Sequence, residues 1–358
     1  MKLDHLGSEY VVIGENIHTT RIVQRRGKRV DTSKNGDEAV VYTKADGERR
    51  RLPIPEDVKK TQDYDEGRIK HVKIAVQAAM SGHGDAADVG LDYIHRLVER
   101  QEEAGADFLD LNVDEISLKP AQQQEAMAWL VKTVGAMTDL PLSVDSSNVE
   151  VIEAGLEVYG TTRQRPMLNS ASLERIDSLA PAAKYKARVV VTAAGETGMP
   201  DGTEERVANA SRMVETALDM GIPPGDIFID PLVFPISVDK VFGLHCLDAI
   251  RELRGKFGAD VHITGGMSNV SFGVPARKMI NDVFVILAVE AGADSGIVDP
   301  VSSGLNEVFG LDRESLPYRL AEDVLLGKDE HCAKYIRAWR QGELGNIGLP
   351  PRKKRKRK

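Results

Sequence analysis

The sequence predicts an α/β fold of the (β/α)8 class, a TIM barrel. Short apolar runs alternate with longer segments of helical period from Asp85 onward, at the length of a strand–helix–strand crossover. Counting "EYVVIGE" (9–15), the runs number eight. The chain of 358 residues holds the ~250 that such a barrel needs, with room for insertions. An open doubly wound sheet shares the alternation, but no G-x-G-x-x-G turn follows the first run. The barrel is the preferred reading.

The remaining strands are expected at "DFLDLN" (107–112), "LSVD" (142–145), "PMLNSAS" (166–172), "RVVVTAA" (188–194), "IFIDP" (227–231), "VHITGG" (261–266) and "SGIVDP" (295–300). Each is short, rich in branched side chains and closed by a polar or glycine signal. Helices are expected between them. "DVGLDYIHRLVERQEEAGA" closes on Gly105, and "PAQQQEAMAWLVKTVGAM" opens with Pro120 in its first turn. The segments "VEVIEAGLEVYG", "TEERVANASRMVETALDMG", "SVDKVFGLHCLDAIRELRG" and "VPARKMINDVFVILAVEAG" follow the same grammar.

Residues 19–84 break the pattern and show no sustained apolar period. They are expected to form a long insertion after the first strand, with a small hairpin turning at Asp46-Gly47. Such an insertion would lie over the C-terminal mouth of the strands, as a lid, a docking element or a plain surface loop. The expected organisation is one barrel domain over 1–350 and a disordered basic tail over 351–358.

Composition narrows the class. Hydrophobic residues at 42% and charged residues at 28% fit a folded globular chain, and no apolar run reaches the ~18–20 residues of a membrane span. The N-terminus shows no apolar core of a secretory signal, and the two cysteines, Cys246 and Cys332, are far apart; a cytoplasmic location is expected. The net charge of −8 hides an asymmetry: without the closing "RKKRKRK", 40 basic residues face 55 acidic ones, a balance of −15. Aromatics are only 5% and are not interleaved with basic residues, so nucleic acid is not an expected partner.

Acids and amides gather at the strand ends. Asp110 with Asn112, Asp145, Asn169, Asp230 and Asp299 end the second, third, fourth, sixth and eighth runs. The seventh leads into Asn269, within "TGGMSNVSFG", and the first ends in Glu15-Asn16. In a barrel these ends converge on one mouth, so a ring of acids and amides without lysine or arginine is expected there. One Asp after a strand is often only a helix cap, and "DSSN" and "SAS" would cap well. Asparagine inside an apolar run has no such explanation. The ring lacks a nucleophile with a base, and His245-Cys246 and His331-Cys332, adjacent dipeptides on helices, cannot easily both face one ion. Three carboxylates suit a hard cation; carboxylates and amides equally match the donor edge of a flat 2-amino-4-oxo heterocycle.

Five motifs in order, "DFLDLNVDE", "LSVDSSNVEVIEAGL", "MLNSASLE", "IFIDPL" and "GGMSNVSFGVPAR…AVEAGADSGIVDP", resemble the pterin-binding domain of methyltetrahydrofolate-dependent, corrinoid-linked methyltransferases. The free-standing enzymes and the folate domain of cobalamin-dependent methionine synthase are both similar, over about residues 9–18 and 85–310. The resemblance implies that Asp145, Asn169 and Asp230 hold the pterin ring and that Asn269 is the catalytic residue at the methyl-bearing nitrogen. Asp110, Asn112 and Glu15 join the substrate-binding set. It further implies tetrahydrofolate or 5-methyltetrahydrofolate as substrate and a homodimer. The cobalamin, a corrinoid, is on this resemblance carried by a partner protein, and no intrinsic metal is expected. The glycines beside Asn269 are expected to leave room for a flat ligand, and the hydroxyls to hold the loop. Dihydropteroate synthase, of the same superfamily, carries Gly-Gly-Glu-Ser-Thr-Arg-Pro and Ser-Arg-Lys elements where this chain has "LNVDE" and "MSNVS". Without those cations a diphosphate leaving group is poorly served, which favours methyl transfer over condensation; a non-catalytic pterin-binding scaffold is the alternative from a different class. "GENIHTT", the insertion and the tail depart from the family pattern.

Overall fold

The computed structural model describes residues 2–3, 8–160 and 164–345; the basic tail lies outside them. Eight strands carry the fold: β1 Val11–His18, β2 Phe108–Asn112, β3 Leu142–Asp145, β4 Met167–Ala171, β5 Arg188–Thr192, β6 Ile227–Asp230, β7 His262–Ile263 and β8 Ser295–Val298. They form one sheet in the order β7-β6-β5-β4-β3-β2-β1-β8. A parallel bridge between Gly266 and Ile297 joins the last two. This is the strand order of a (β/α)8 barrel. Strands covered on both faces need apolar side chains at successive positions, and Val189, Val190 and Val191 of β5 are all fully buried.

The main helices up to the last strand are α1 His71–Met80, α2 Gly84–Glu103, α3 Pro120–Gly135, α4 Val149–Tyr159, α5 Leu179–Tyr185, α6 Thr203–Asp219, α7 Phe242–Phe257 and α8 Arg277–Ala291; Leu305–Phe309, Leu316–Leu325 and Ala333–Gln341 follow it. Their ends follow local chemistry. Pro120 opens α3, and Asn148 caps α4 by accepting the Glu150 N–H at 2.8 Å. No helix among the described residues is long and apolar enough to cross a membrane. Cys246 and Cys332 are free and buried. His245 and Cys246 lie on α7, whereas His331 and Cys332 sit in a kink with φ of 52° and 53°.

The chain divides into two compact units, one of Ile13–Ser170 with Asp177–Val189 and one of Met1–Val12, Ala171–Ile176 and Val190–Lys358. In the first, β1 runs on to His18 instead of stopping at Glu15, because it bulges. Gly14 pairs with Leu109 and Ile17 with Leu111, so Glu15 and Asn16 together face the single residue Asp110. Gln101 of α2 holds the bulge, accepting the Asn16 N–H at 3.0 Å. Gly14 makes this approach feasible, since a Cβ there would fall 2.4 Å from the Gln101 side-chain oxygen.

The segment between β1 and α2 is more ordered than its sequence suggests. Ile22–Gln24 pairs antiparallel with Arg68–Lys70, and Val30–Thr32, Glu38–Thr43 and Arg49–Pro53 form a three-stranded antiparallel sheet. The hairpin at Asp46-Gly47 is present, with Glu48 N–H bonded to Asp46 Oδ1 at 2.9 Å. Helix α1 corrects the expectation of no apolar period. It buries Val72, Ile74, Ala75, Val76 and Ala79 against α2, where a Cβ on Gly90 would fall 2.6 Å from the Ala75 carbonyl.

In the second unit, α7 starts at Phe242 and ends at Phe257, a few residues later than the sequence pattern at both ends. The stretch after β7 is a 3-10 turn, Met267–Ser271, rather than an open loop.

Candidate active site

Two groups of polar side chains stand at strand ends, one in each unit. The first is built on β1, β2, β3 and β4. Register sets Asp145 opposite both Asn112 and Asn169. Asn112 donates its amide to Asp145 Oδ2 at 2.9 Å and accepts the Asp114 N–H at 3.0 Å. Asn169 points its amide at the Asp110 carboxylate, 3.4 and 3.5 Å from its oxygens. Asp110 is fully buried, and Asn112 and Asn169 are nearly so. Asp114 meanwhile accepts from Ser146 Oγ and Ser147 N–H at 2.5 and 3.0 Å, tying the β2 and β3 loops together.

Cations do reach this group, contrary to the expected ring of acids and amides alone. His18 Nε2 lies 2.8 Å from Asp110 Oδ2, and Arg21 Nη1 lies 3.3 Å from Glu15 Oε1. His18 joins the group although sequence reasoning did not name it: "GENIHTT" showed a departure, but only the bulge brings the imidazole onto Asp110. Burial lifts the Asp145 carboxyl to about 7, helped by the charge of Asp110 and opposed by His18 and the Asn112 amide. Burial alone would lower the His18 pKa, yet the hydrogen bond and charge of Asp110, with Asp145 and Glu15, raise it overall.

A nitrogen of His18 and oxygens of Asp110 and Asp145 all lie within 4.8 Å of one another, close enough to bracket a cation. Their hydrogen bonds already account for the grouping. His18 Nε2 meets Asp110, and Asn112 donates to Asp145, contacts that hold the three side chains together.

The second group stands on β6 and the turn after β7. Asp230 Oδ1 accepts the Leu232 N–H at 2.8 Å, a tight Asx turn that carries Leu232 to a φ of 68°. Burial pushes the Asp230 carboxyl up to about 6, against the Leu232 N–H and Arg206. Arg206 of α6 is fully buried, and none of its guanidinium nitrogens has a hydrogen-bond partner among the described residues. Its Cζ stacks 4.4 Å from the Phe234 ring centroid, and burial lowers its pKa. Nothing in the sequence marks it, since an arginine in a charged helix usually lies on the solvated face.

Asn269 sits inside the 3-10 turn, its own N–H bonded to the Gly266 carbonyl at 3.0 Å. Its side-chain amide makes no hydrogen bond among the described residues. Arg277 clamps the turn, donating to the Ser268 carbonyl at 2.7 Å and to Ser271 Oγ at 2.9 Å while covering the Phe272 ring. Ser271 adds a bond to the Ser268 carbonyl at 3.3 Å, so the hydroxyl does help to hold the turn. The glycines make room for side chains of the group. A Cβ on Gly265 would lie 3.2 Å from Asp230 Oδ1, and one on Gly266 2.7 Å from Asn269 Nδ2. Asp299 at the end of β8 accepts from Ser302 N–H and Oγ at 3.1 and 2.8 Å, a turn cap.

Residues 85–299 match the family described as pterin binding enzyme. The chain is 32% identical over 252 residues to the methylcorrinoid:tetrahydrofolate methyltransferase of Eubacterium limosum, covering 69% of this chain and 87% of that one. It is 33% identical over 217 residues to the methionine synthase of Mycobacterium leprae (strain TN), covering 56% of this chain but only 17% of that longer protein. Among solved structures, dihydropteroate synthase from Xanthomonas albilineans in complex with 7,8-dihydropteroate aligns with a TM-score of 0.50 at 20% identity. That alignment covers 64% of this chain and 87% of the other, and is a likeness of fold alone.

Proposed function

The chain belongs to the pterin binding enzyme family, and from that premise we propose that it moves a methyl group between tetrahydrofolate and the cobalt of a corrinoid carried by a partner protein. The relative from Eubacterium limosum, matched over 87% of its length and named for that transfer, supports the choice of reaction. In this reading Asp145, Asn169 and Asp230 take the N–H edge of the pterin ring, and Asn269 faces the methyl-bearing nitrogen. Asp110, Asn112 and Glu15 complete the binding set. The corrinoid is a second substrate, and a homodimer belongs to the same reading, checked by sedimentation.

The observation that carries the proposal is the state of Asn269. Its amide is uncommitted among the described residues, on a turn pinned by Arg277. Removing a methyl group from a tertiary amine leaves an amide-like anion unless a hydrogen bond or proton develops at the nitrogen as the bond breaks. A carboxamide can accept from the protonated nitrogen or donate to the free one, so it can follow the change in either direction. It is too weak an acid to supply the proton itself. Tetrahydrofolate binding is measured by titration, and methyl transfer is assayed between methyltetrahydrofolate and reduced free cobalamin. Turnover is expected. Tight binding without turnover would leave a pterin-binding scaffold in its place, and absence of binding would end both.

A further inference from the structure

Asp110 and Asp145 pose a problem of charge. They lie on the paired strands β2 and β3, with Asp145 opposite Asn112 and Asp110 two positions behind, and their oxygens come within 4.8 Å of each other. Two carboxylates this close and shielded from water do not both ionise unless a cation offsets them. His18 is placed to be that cation, at 2.8 Å from Asp110 Oδ2. Its Nδ1 has no hydrogen-bond partner among the described residues. The other charges facing the imidazole are Asp145 from β3 and Glu15 from its own strand, the latter already paired with Arg21. Asp114 bears on Asp145 from the β2 loop.

We propose that His18 is a positioning residue that holds the exchangeable proton of this cluster, so that Asp145 meets the donor edge of a pterin as a carboxylate. This rests on the pterin reading above. In the free protein one proton is shared between the His18 imidazole and the Asp145 carboxyl. A ring presenting N–H donors favours the carboxylate form of Asp145, and the proton moves to His18. The proton stays within the cluster, no covalent bond of the ligand changes, and none is released to solvent. The raised pKa of His18 and the lift of Asp145 to about 7 are what a shared proton near neutrality produces, a property of the pair rather than of either residue. His18 lies in "GENIHTT", the stretch where the chain departs from the family it resembles.

Calorimetry of tetrahydrofolate binding tests this on the full chain, between about pH 6 and 8.5, in buffers of differing ionisation enthalpy. The native protein is expected to bind with a flat pH profile and near-zero proton release. His18→Gln keeps a donor for Asp110 but no charge, so Asp145 must shed its proton to water before binding. Its affinity is expected to fall about tenfold at pH 7, recover about tenfold per pH unit, and come with release of about one proton. Unchanged affinity in His18→Gln, or an equal loss at every pH, overturns the proposal and leaves the pterin reading standing. Failure of the native protein to bind removes both. A second measurement needs no ligand and no folded His18 variant. The imidazole NMR titration of His18 is expected to shift to lower pH in Asp145→Asn, and an unmoved titration overturns the proposal. So does a divalent cation bound stoichiometrically by the native chain.

Discussion

Gly266 and Asn269 compete for one space: a Cβ at position 266 would fall 2.7 Å from the Asn269 amide nitrogen, well inside carbon–nitrogen contact. The bare glycine is what lets the asparagine fold back over its own turn. Gly266→Ala is expected to displace the amide and slow methyl transfer by about tenfold or more. The melting temperature should move little, since the φ of −71° at Gly266 suits alanine. Assaying rate and thermal melt on the same preparation separates the two; a collapse of the fold would contradict the assignment.

Removing the amide itself is the sharper test. Asn269→Ala is expected to lower the rate of methyl transfer by about two orders of magnitude while leaving the tetrahydrofolate dissociation constant within a fewfold. A ground-state contact would lose rate and affinity together. Single-turnover kinetics beside equilibrium titration decides which.

Asp230 trades stability for binding. Its carboxyl is lifted by burial from an ordinary 3.8 to about 6, so the folded chain holds that proton more tightly than the unfolded chain does. The resulting stability is fully present below about pH 4, and is lost as pH rises through about 6. The loss amounts to about 3 kcal/mol at most, since each tenfold change in proton affinity is worth roughly 1.4 kcal/mol. Asp230→Asn, which cannot ionise, is expected to melt above the native protein at pH 8 and to bind tetrahydrofolate at least about tenfold more weakly. Melting curves at pH 4 and 8 check the first half and titration the second; a lower melting temperature at pH 8 would rule the trade out.

Arg206 is a buried guanidinium without hydrogen bonds among the described residues. A charge so placed costs several kcal/mol in desolvation, and its visible return is the lowering of the Asp230 pKa. Arg206→Met fills a similar volume without charge. It is expected to hold or raise the melting temperature, and to move the pH at which Asp230-dependent binding sets in upward by about half a unit or more. An unmoved binding profile would show that the two residues are not coupled.

The barrel was legible because strands covered on both faces cannot hide. Val189–Val191 and the run into Asp145 are apolar at successive positions, and helix signals such as Pro120 and Gly105 punctuate them. The candidate residues were legible for a related reason, because Asn169 and Asp110 are buried polar groups inside such runs. What escaped depends on contacts distant in sequence. The bulge at Glu15 and Asn16 is stabilised by Gln101, 85 residues away from Asn16, and leaves no local mark. His18 on Asp110 follows from that bulge. Helix α1 was masked by the polar strands before it, and Arg206 by its charged neighbours Glu204 and Glu205. Arg277 stood in plain view at the end of "GGMSNVSFGVPAR", but its clamp on Ser268 and Ser271 is a matter of three dimensions.

The pairing of Ile22–Gln24 with Arg68–Lys70 makes the path out of β1 and the path back run side by side, as the two legs of a narrow stalk. The end of β1 is fastened elsewhere: Asn16 to Gln101, Thr19 N–H to the Asn112 carbonyl at 2.9 Å, and Thr19 Oγ1 to the Glu115 N–H at 3.2 Å. What lies beyond the stalk is anchored a second time, on α2, where Tyr42 donates to Asp92 Oδ2 at 2.5 Å and Arg96 to the Thr43 carbonyl at 3.0 Å. A change in the length of that segment is therefore taken up between the stalk and α2, while the strand end keeps its own fastenings.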